Sequence, residues 1–346
     1  MEITAIETTL REVPVAHPIR WRAGLPGSGT SNTVMELLIR TDEGITGCAE
    51  VSHGTIMQDI VDRRLREMLV GRDPLLREDL FHRVLEIDRL EEIPIYGLGV
   101  VDIALWDLFA KAAGVPLYKA IGGYRARIPA YASTVTYETL EEYLDVADQC
   151  LAAGFRAIKL HAWGDARRDA HLCQKLRQHV GDEIALMYDG SAGFDLIDAI
   201  WLGRALGEAD YVWYEEPMRE FSIESYRRLR EKVEVPLLVG ETSDGIHYNI
   251  GDFLAFGAGD LVRTSTHYKG GITGGLRIAH LADAFNTRAE VHGGGLPNLH
   301  LACAIPNTTW YEALVMSNPI VVEPGFGPDG MISPPDAPGI GWESST

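Results

Sequence analysis

Leu186-Met187-Tyr188 ending on Asp189, Tyr211-Val212-Trp213-Tyr214 ending on Glu215-Glu216-Pro217, and Pro236-Leu237-Leu238-Val239-Gly240 ending on Glu241 are three apolar runs whose reading decides the fold. Their intervals, about 26 residues each, are what one strand, one helix and two loops consume, so the three acids fall at equivalent ends of consecutive parallel strands. Such ends converge on one face. Three carboxylates gathered there repel one another by several kcal/mol at low effective dielectric unless a divalent cation sits between them. One acid at a strand end reads as a solvated loop residue or an N-cap; three at a fixed period point to a Mg2+ site at the mouth of a βα barrel.

Outward from this stretch the same alternation continues. From Ile128 onward, strands are expected near 128–133, 155–161, 184–190, 211–215, 237–241, 260–265, 288–292 and 309–313, with amphipathic stretches such as 138–153, 165–179, 195–208, 222–231, 245–256 and 272–285 between them. Eight strands close a barrel. The first 50 residues read differently: 3–10 alternates in period two, and 34–40 pairs with 45–50 across Thr41-Asp42-Glu43-Gly44 as a hairpin. Residues 55–113 are helical in pattern, most clearly Gly99–Ala113, which stops at Gly114-Val115-Pro116. The expected organisation is an α+β capping domain (1–125), a barrel (126–320) and a C-terminal segment (321–346) returning to the cap.

The Gly/Ser/Pro-rich segment His17 to Asn32 contains Arg20-Trp21-Arg22. A long loop without regular structure in a compact domain is functional or disordered, and Arg20, Trp21 and Arg22 are candidate substrate contacts from a lid. On the strand before Asp189, Ala157-Ile158-Lys159-Leu160-His161, period two puts Lys159 and His161 on one face, toward the interior and its mouth. A lysine there is costly unless it pairs with acids. His292 ends the seventh strand, ahead of Gly293-Gly294-Gly295, and Glu312 ends the eighth. A metal with bases on two sides is what removal of a weakly acidic proton alpha to a carboxylate requires.

Composition narrows the class. The 346 residues are 46% hydrophobic and 23% charged, as in an ordinary globular protein. No apolar run approaches the roughly 18 to 20 residues of a membrane span, and Met1-Glu2-Ile3-Thr4 lacks the basic start of a signal peptide, so a cytoplasmic location is expected. Cys48, Cys150, Cys173 and Cys303 are scattered, which disfavours disulfides or zinc. The net charge of −19 repels polyphosphate and argues against nucleic acid, while a small anionic substrate stays compatible with a local metal and bases.

These residues resemble the enolase superfamily, mandelate racemase subgroup, over almost the whole chain. The resemblance rests on Val101-Asp102-Ile103-Ala104-Leu105-Trp106-Asp107-Leu108, Gly114-Val115-Pro116-Leu117-Tyr118, Gly122-Gly123, Gly154-Phe155-Arg156-Ala157-Ile158-Lys159, Glu215-Glu216-Pro217, Gly240-Glu241, Gly270-Gly271-Ile272-Thr273 and His292. It implies a modified (β/α)7β barrel under an α+β cap, one Mg2+ on Asp189, Glu215 and Glu241, chemistry through an enediolate, and a homo-oligomer; Lys or His bases with Mg2+ are a known pairing there. Three positions depart from the family pattern. Its Lys-x-Lys is Lys159-x-His161, Ser265 stands where an Asp usually orients the strand-seven histidine, and Ser191 stands where an Asn commonly follows the first metal ligand. Glu216 and Ser191 are expected to support the ligands, Ser265 to face substrate, and Glu312 to keep the place of the subgroup's electrophilic Glu. Lys159 beside His161 is expected to favour neutral imidazole there. Three functions remain open: an acid-sugar dehydratase giving a 2-keto-3-deoxy acid, a racemase, epimerase or lactone cycloisomerase, and an inert metal-binding homologue.

Overall fold

The computed structural model describes residues 1–91 and 95–342. Residues 92–94, inside the stretch expected to be helical, and 343–346, in the expected C-terminal segment, lie outside the described residues. The chain opens with an antiparallel sheet of β1 (Ile3–Pro14), β2 (Ser31–Thr41) and β3 (Thr46–Val51), in that order. Register pairs Pro14 with Ser31, so the expected loop is two residues shorter than its composition suggests: Ser31 and Asn32 belong to the strand. Next come α1 (Gly54–Ile60), a π-helical turn (Val61–Leu65), α2 (Arg66–Leu69), α3 (Arg77–Glu91) and α4 (Ile95–Ala112). α4 begins before the expected Gly99. Gly47 lets it lie directly on β3, since a Cβ there would fall 2.1 Å from the Ala104 carbonyl oxygen.

A short α5 (Leu117–Ala120) leads into the barrel. Its strands are β4 (Ile128–Thr134), β5 (Ala157–His161), β6 (Ala185–Asp189), β7 (Tyr214–Glu215), β8 (Leu237–Val239), β9 (Leu261–Thr264), β10 (Ala289–Val291) and β11 (Tyr311–Val315). They pair in parallel in the order β11-β4-β5-β6-β7-β8-β9-β10. Hydrogen bonds from Ala289 N to Asn307 O (2.9 Å) and Val291 N to Thr308 Oγ1 (3.4 Å) draw the two ends together. The helices between are α6 (Leu140–Ala153), α7 (Ala166–Val180), α8 (Leu196–Glu208), α9 (Ile223–Arg230), α10 (His247–Ala255), α11 (Gly271–Ala284) and α12 (Leu296–Ala304). Local chemistry starts them. Thr139 and Glu142 form a reciprocal capping box on α6, and Asp165 and Asp195 cap α7 and α8. α12 completes a (β/α)7β barrel; it was not among the expected helical stretches, although Pro297 in its first turn suits a helix start.

The interior is layered by the period of the strands. Tyr131, Ala157, Met187, Trp213, Leu238 and Leu261 form an apolar plug that is separate from the main core. Two residues further along the same strands lie Ser133, Lys159, Asp189, Glu215 and Arg263, so the next layer up is charged. The cap sits over this layer's mouth through α4 and α11: Trp106 Nε1 donates to Thr273 Oγ1 (2.9 Å), and the buried Asp102 accepts from Thr273 N (2.8 Å) and Oγ1 (2.6 Å). After the barrel, β12 (Met331–Ile332) runs antiparallel to β4, and Gly339 bridges to Pro116. There the Asp107 carboxylate accepts from Cys48 N (2.9 Å) and Ile340 N (2.8 Å) and pairs with Lys111 (2.7 Å).

Candidate active site

Lys159 and His161 share the interior face of β5, as period two requires. Lys159 Nζ is fully buried and lies 3.2 Å from Asp189 Oδ2, 2.9 Å from Glu215 Oε2 and 2.9 Å from Glu312 Oε1. Burial opposes its charge, but Glu215 and Glu312 outweigh that and hold it well above the usual lysine range. Asp189 ends β6; its Oδ1 accepts from Ser191 N (2.8 Å), while Ser191 itself takes a positive φ of 42°. Burial works against its ionisation, and His161 and Lys159 reverse that and hold it below the usual range.

Asp189, Glu215 and Glu241 each offer a carboxylate oxygen within 4.8 Å of the others. Setting the histidines aside, four carboxylates here, counting Glu312, face two permanent cations, Lys159 and Arg263. Two negative charges remain, which suits one divalent cation. The excess is localised. Glu241 Oε2 is buried without a hydrogen-bond partner among the described residues, and burial, then Glu216, Glu215 and Asp189, drive the Glu241 carboxyl well above its usual range. The residues present therefore fit a Mg2+ ion. Glu216, behind them, is pushed up to about 8 by burial, then Glu220 and Asp189, and accepts from Thr242 Oγ1 (2.6 Å).

The two histidines are held differently. His161 Nδ1 lies 2.6 Å from the Thr134 carbonyl oxygen, which can only accept, so Nδ1 carries a proton and Nε2 is the exchanging nitrogen. Nε2 is 3.1 Å from Asp189 Oδ2. Lys159, expected to act on this ring, is engaged by three carboxylates, and one of them, Asp189, also touches the imidazole. His292 follows β10, stacks on Tyr268 (centroids 5.2 Å apart, 23° between planes) and meets Glu241 Oε1 through Nε2 at 3.1 Å. Burial pushes it down to about 4.

Of the loop residues, Trp21 and Arg22 reach the mouth. The Trp21 ring sits on His161 with centroids 4.7 Å apart, and Arg22 Nε donates to the Ser191 carbonyl (3.3 Å). Arg22 passes so close to Gly164 and Gly193 that a Cβ at either would lie 2.7 or 2.5 Å from its Cδ. Arg20 contributes its carbonyl, which accepts from Thr136 N (3.0 Å), while its side chain is exposed beside Gly27. Ser265 Oγ accepts from His267 N (3.2 Å) and Tyr268 N (3.4 Å), so it serves the turn that presents Tyr268. Glu312 accepts from Gly293 N (2.7 Å) and pairs with Lys159; burial opposes its ionisation, and Lys159 then Arg263 hold it well below the usual carboxylate range.

Sequence reasoning missed Arg263. This arginine is 1% exposed and grips both oxygens of Glu215, through Nε to Oε1 and Nη2 to Oε2 (2.6 Å). It also donates to Tyr131 Oη (3.0 Å) and Val291 O (3.2 Å) and lies 3.7 Å from Glu312. The signal was present: an arginine inside the apolar run Leu261–Thr264 is as anomalous as Lys159. Asn298 was also missed. Buried on α12, it accepts from Thr266 N (2.9 Å) and Oγ1 (2.8 Å) and donates to His292 O (2.8 Å), tying the β9 and β10 ends together.

Comparisons with known proteins agree with this geometry. Residues 5–122 match the family model "Mandelate racemase / muconate lactonizing enzyme, N-terminal domain", and residues 142–345 match "Enolase C-terminal domain-like". A 3,6-anhydro-alpha-L-galactonate cycloisomerase of Streptomyces coelicolor is 30% identical over 98% of this chain and 96% of its own. A D-glucarate dehydratase from Agrobacterium tumefaciens, solved with magnesium, is 31% identical with a TM-score of 0.90, covering 99% of this chain and 96% of that one. A racemase from Streptomyces coelicolor with bound magnesium is 29% identical with a TM-score of 0.88, covering 98% and 96%. Among the described residues no helix is long and apolar enough to cross a membrane.

Proposed function

The chain belongs to the mandelate racemase / muconate lactonizing enzyme group of the enolase superfamily, a magnesium-dependent family, and from that premise we propose that it dehydrates a sugar acid to a 2-keto-3-deoxy acid. The observation that carries this reading is the unlike setting of the two histidines: His161 is fixed through Nδ1 on the Thr134 carbonyl, whereas His292 stacks on Tyr268 with its Nε2 3.1 Å from Glu241 Oε1. A racemase needs two bases of matched strength, whereas an elimination needs one base and one acid.

Asp189, Glu215 and Glu241 would hold the Mg2+, which when bound draws charge from the substrate carboxylate and makes the adjacent proton more acidic. His161 Nε2 takes the C2 proton, and the electrons of the C–H bond enter the carboxylate to give an enediolate. Lys159, fixed between Asp189, Glu215 and Glu312, supplies positive charge beside it. His292 gives its Nε2 proton to the C3 hydroxyl as the C3–O bond breaks, releasing water and an enol that tautomerises to the 2-keto acid. Trp21 shields His161 from bulk water, and Arg22 binds a hydroxyl or distal carboxylate. The identity to a cycloisomerase supports a second reading: the same proton is removed, but the leaving oxygen belongs to a ring and no water is lost.

A library of mono- and diacid sugars assayed for 2-keto acid tests the proposal, with product mass separating dehydration from isomerisation. In solvent deuterium, His292→Asn should lose elimination and keep exchange at C2, and His161→Asn should lose both. The reverse pattern exchanges the roles and returns the racemase reading.

A further inference from the structure

The three magnesium-facing carboxylates are not equally secured by their own elements. Asp189 and Glu215 each end a barrel strand, and both are gripped directly by basic side chains. Glu241 lies two residues beyond the end of β8, after Gly240 with its φ of 92°. Among the described residues its own side chain is held by one contact, from His292.

What holds its backbone comes from both sides. Glu220, in the loop after β7, is 9% exposed, and its carboxylate accepts hydrogen bonds from Gly240 N, Thr242 N (3.2 Å) and Ser243 N (2.9 Å). It therefore brackets Glu241 along the chain. Lys269, in the loop after β9 and 1% exposed, donates through Nζ to the Ser243 carbonyl oxygen and lies 3.4 Å from Ser243 Oγ. Two buried, oppositely charged side chains from neighbouring loops thus act on one four-residue segment. A buried acid and a buried ammonium are each expensive, and three amide donors are more than a short turn needs in order to close.

We infer that Glu220 and Lys269 are positioning residues for Glu241, fixing residues 240–243 so that its carboxylate reaches the cation already oriented. The inference rests on the magnesium reading of the site. Outer partners of this kind usually govern metal affinity by 10–100-fold, and the cost of ordering a free turn would otherwise be taken from binding.

The test is magnesium titration by calorimetry on full-length Glu220→Ala, Glu220→Gln and Lys269→Met, with the metal-free Tm of each. Glu220→Ala and Lys269→Met should weaken Mg2+ binding by about 10–100-fold. Glu220→Gln, whose amide oxygen still accepts, should recover part of the loss. If Glu220→Ala fails to fold, Lys269→Met carries the test from the opposite loop. Unchanged Mg2+ affinity beside a lowered metal-free Tm would overturn the inference, because the pair would then only stabilise the fold. If the parent protein binds no Mg2+, or Glu241→Gln binds it equally well, the underlying magnesium reading falls, and the inference with it; those controls separate the two failures.

Discussion

Replacing Arg263 by Met tests the electrostatics of the barrel interior most directly. The guanidinium is 1% exposed and bonds both oxygens of Glu215, Tyr131 Oη and the Val291 carbonyl, with Glu312 3.7 Å away. Its removal leaves Glu215 buried with Lys159 as its remaining basic partner, a lysine already shared with Asp189 and Glu312. Removing one partner of a buried pair costs about 3–5 kcal/mol. With an unfolding entropy of about 2.1 cal/mol/K per residue, a chain of 346 residues loses roughly 4–7 °C in Tm. The assay is thermal or guanidinium unfolding in the presence of chelator, so that metal does not compensate. Arg263→Lys, which keeps the charge and loses the two-pronged grip, should fall between parent and Met. Because the penalty comes from an orphaned carboxylate, Arg263→Met combined with Glu215→Gln should be less destabilised than the two single losses summed. Strict additivity, or an Arg263→Met protein melting with the parent, would refute the coupling.

Other consequences are as direct. Mg2+ at a hundred times its Kd should stabilise the parent by about 2.7 kcal/mol, and Asp189→Asn or Glu241→Gln should abolish both that shift and turnover; a retained shift in either removes that residue from the ligand set. Gly193→Ala should displace Arg22 and raise KM about tenfold, equivalent to about 1.4 kcal/mol, with little change in Tm; an unchanged KM would make the 15–30 loop a linker. Asp102, pushed up to about 7 by burial, binds its proton more tightly folded than unfolded, so its contribution is full below about pH 4 and is lost as pH rises through about 7. Asp102→Asn has no such proton to lose, so its stability relative to the parent should improve from pH 4 to pH 8; parallel guanidinium midpoints would refute this.

The barrel and its acids were readable because both follow from period. Alternation along β5 put Lys159 and His161 on one face, and a repeated strand–helix interval aligned Asp189, Glu215 and Glu241. What escaped depends on contacts between strands. Arg263 looks like an interruption of β9 until Glu215, 48 positions earlier, is known to lie beside it. Ser265 marks the loss of an aspartate, but only three dimensions show its hydroxyl presenting Tyr268 for stacking on His292. α12 was absent from the expected helical stretches, although Pro297 fits a first helical turn and was a signal for it. Arg20, Trp21 and Arg22 looked equivalent as a tripeptide; the path of the loop turns two side chains inward and leaves one exposed.

The Asp107 carboxylate gathers hydrogen-bond donors from β3, from α4 and from residue 340, so three parts of the chain that are far apart in sequence finish one another there. On the ribosome these parts emerge in order, and at roughly 5–20 residues per second the last arrives tens of seconds after the first. Until residues 339 and 340 have been made, Asp107 is short of one of its donors and Pro116 lacks the bridge that Gly339 provides. Early segments can collapse, yet the hydrogen bond from Ile340 N to Asp107 forms only after every barrel strand has been made.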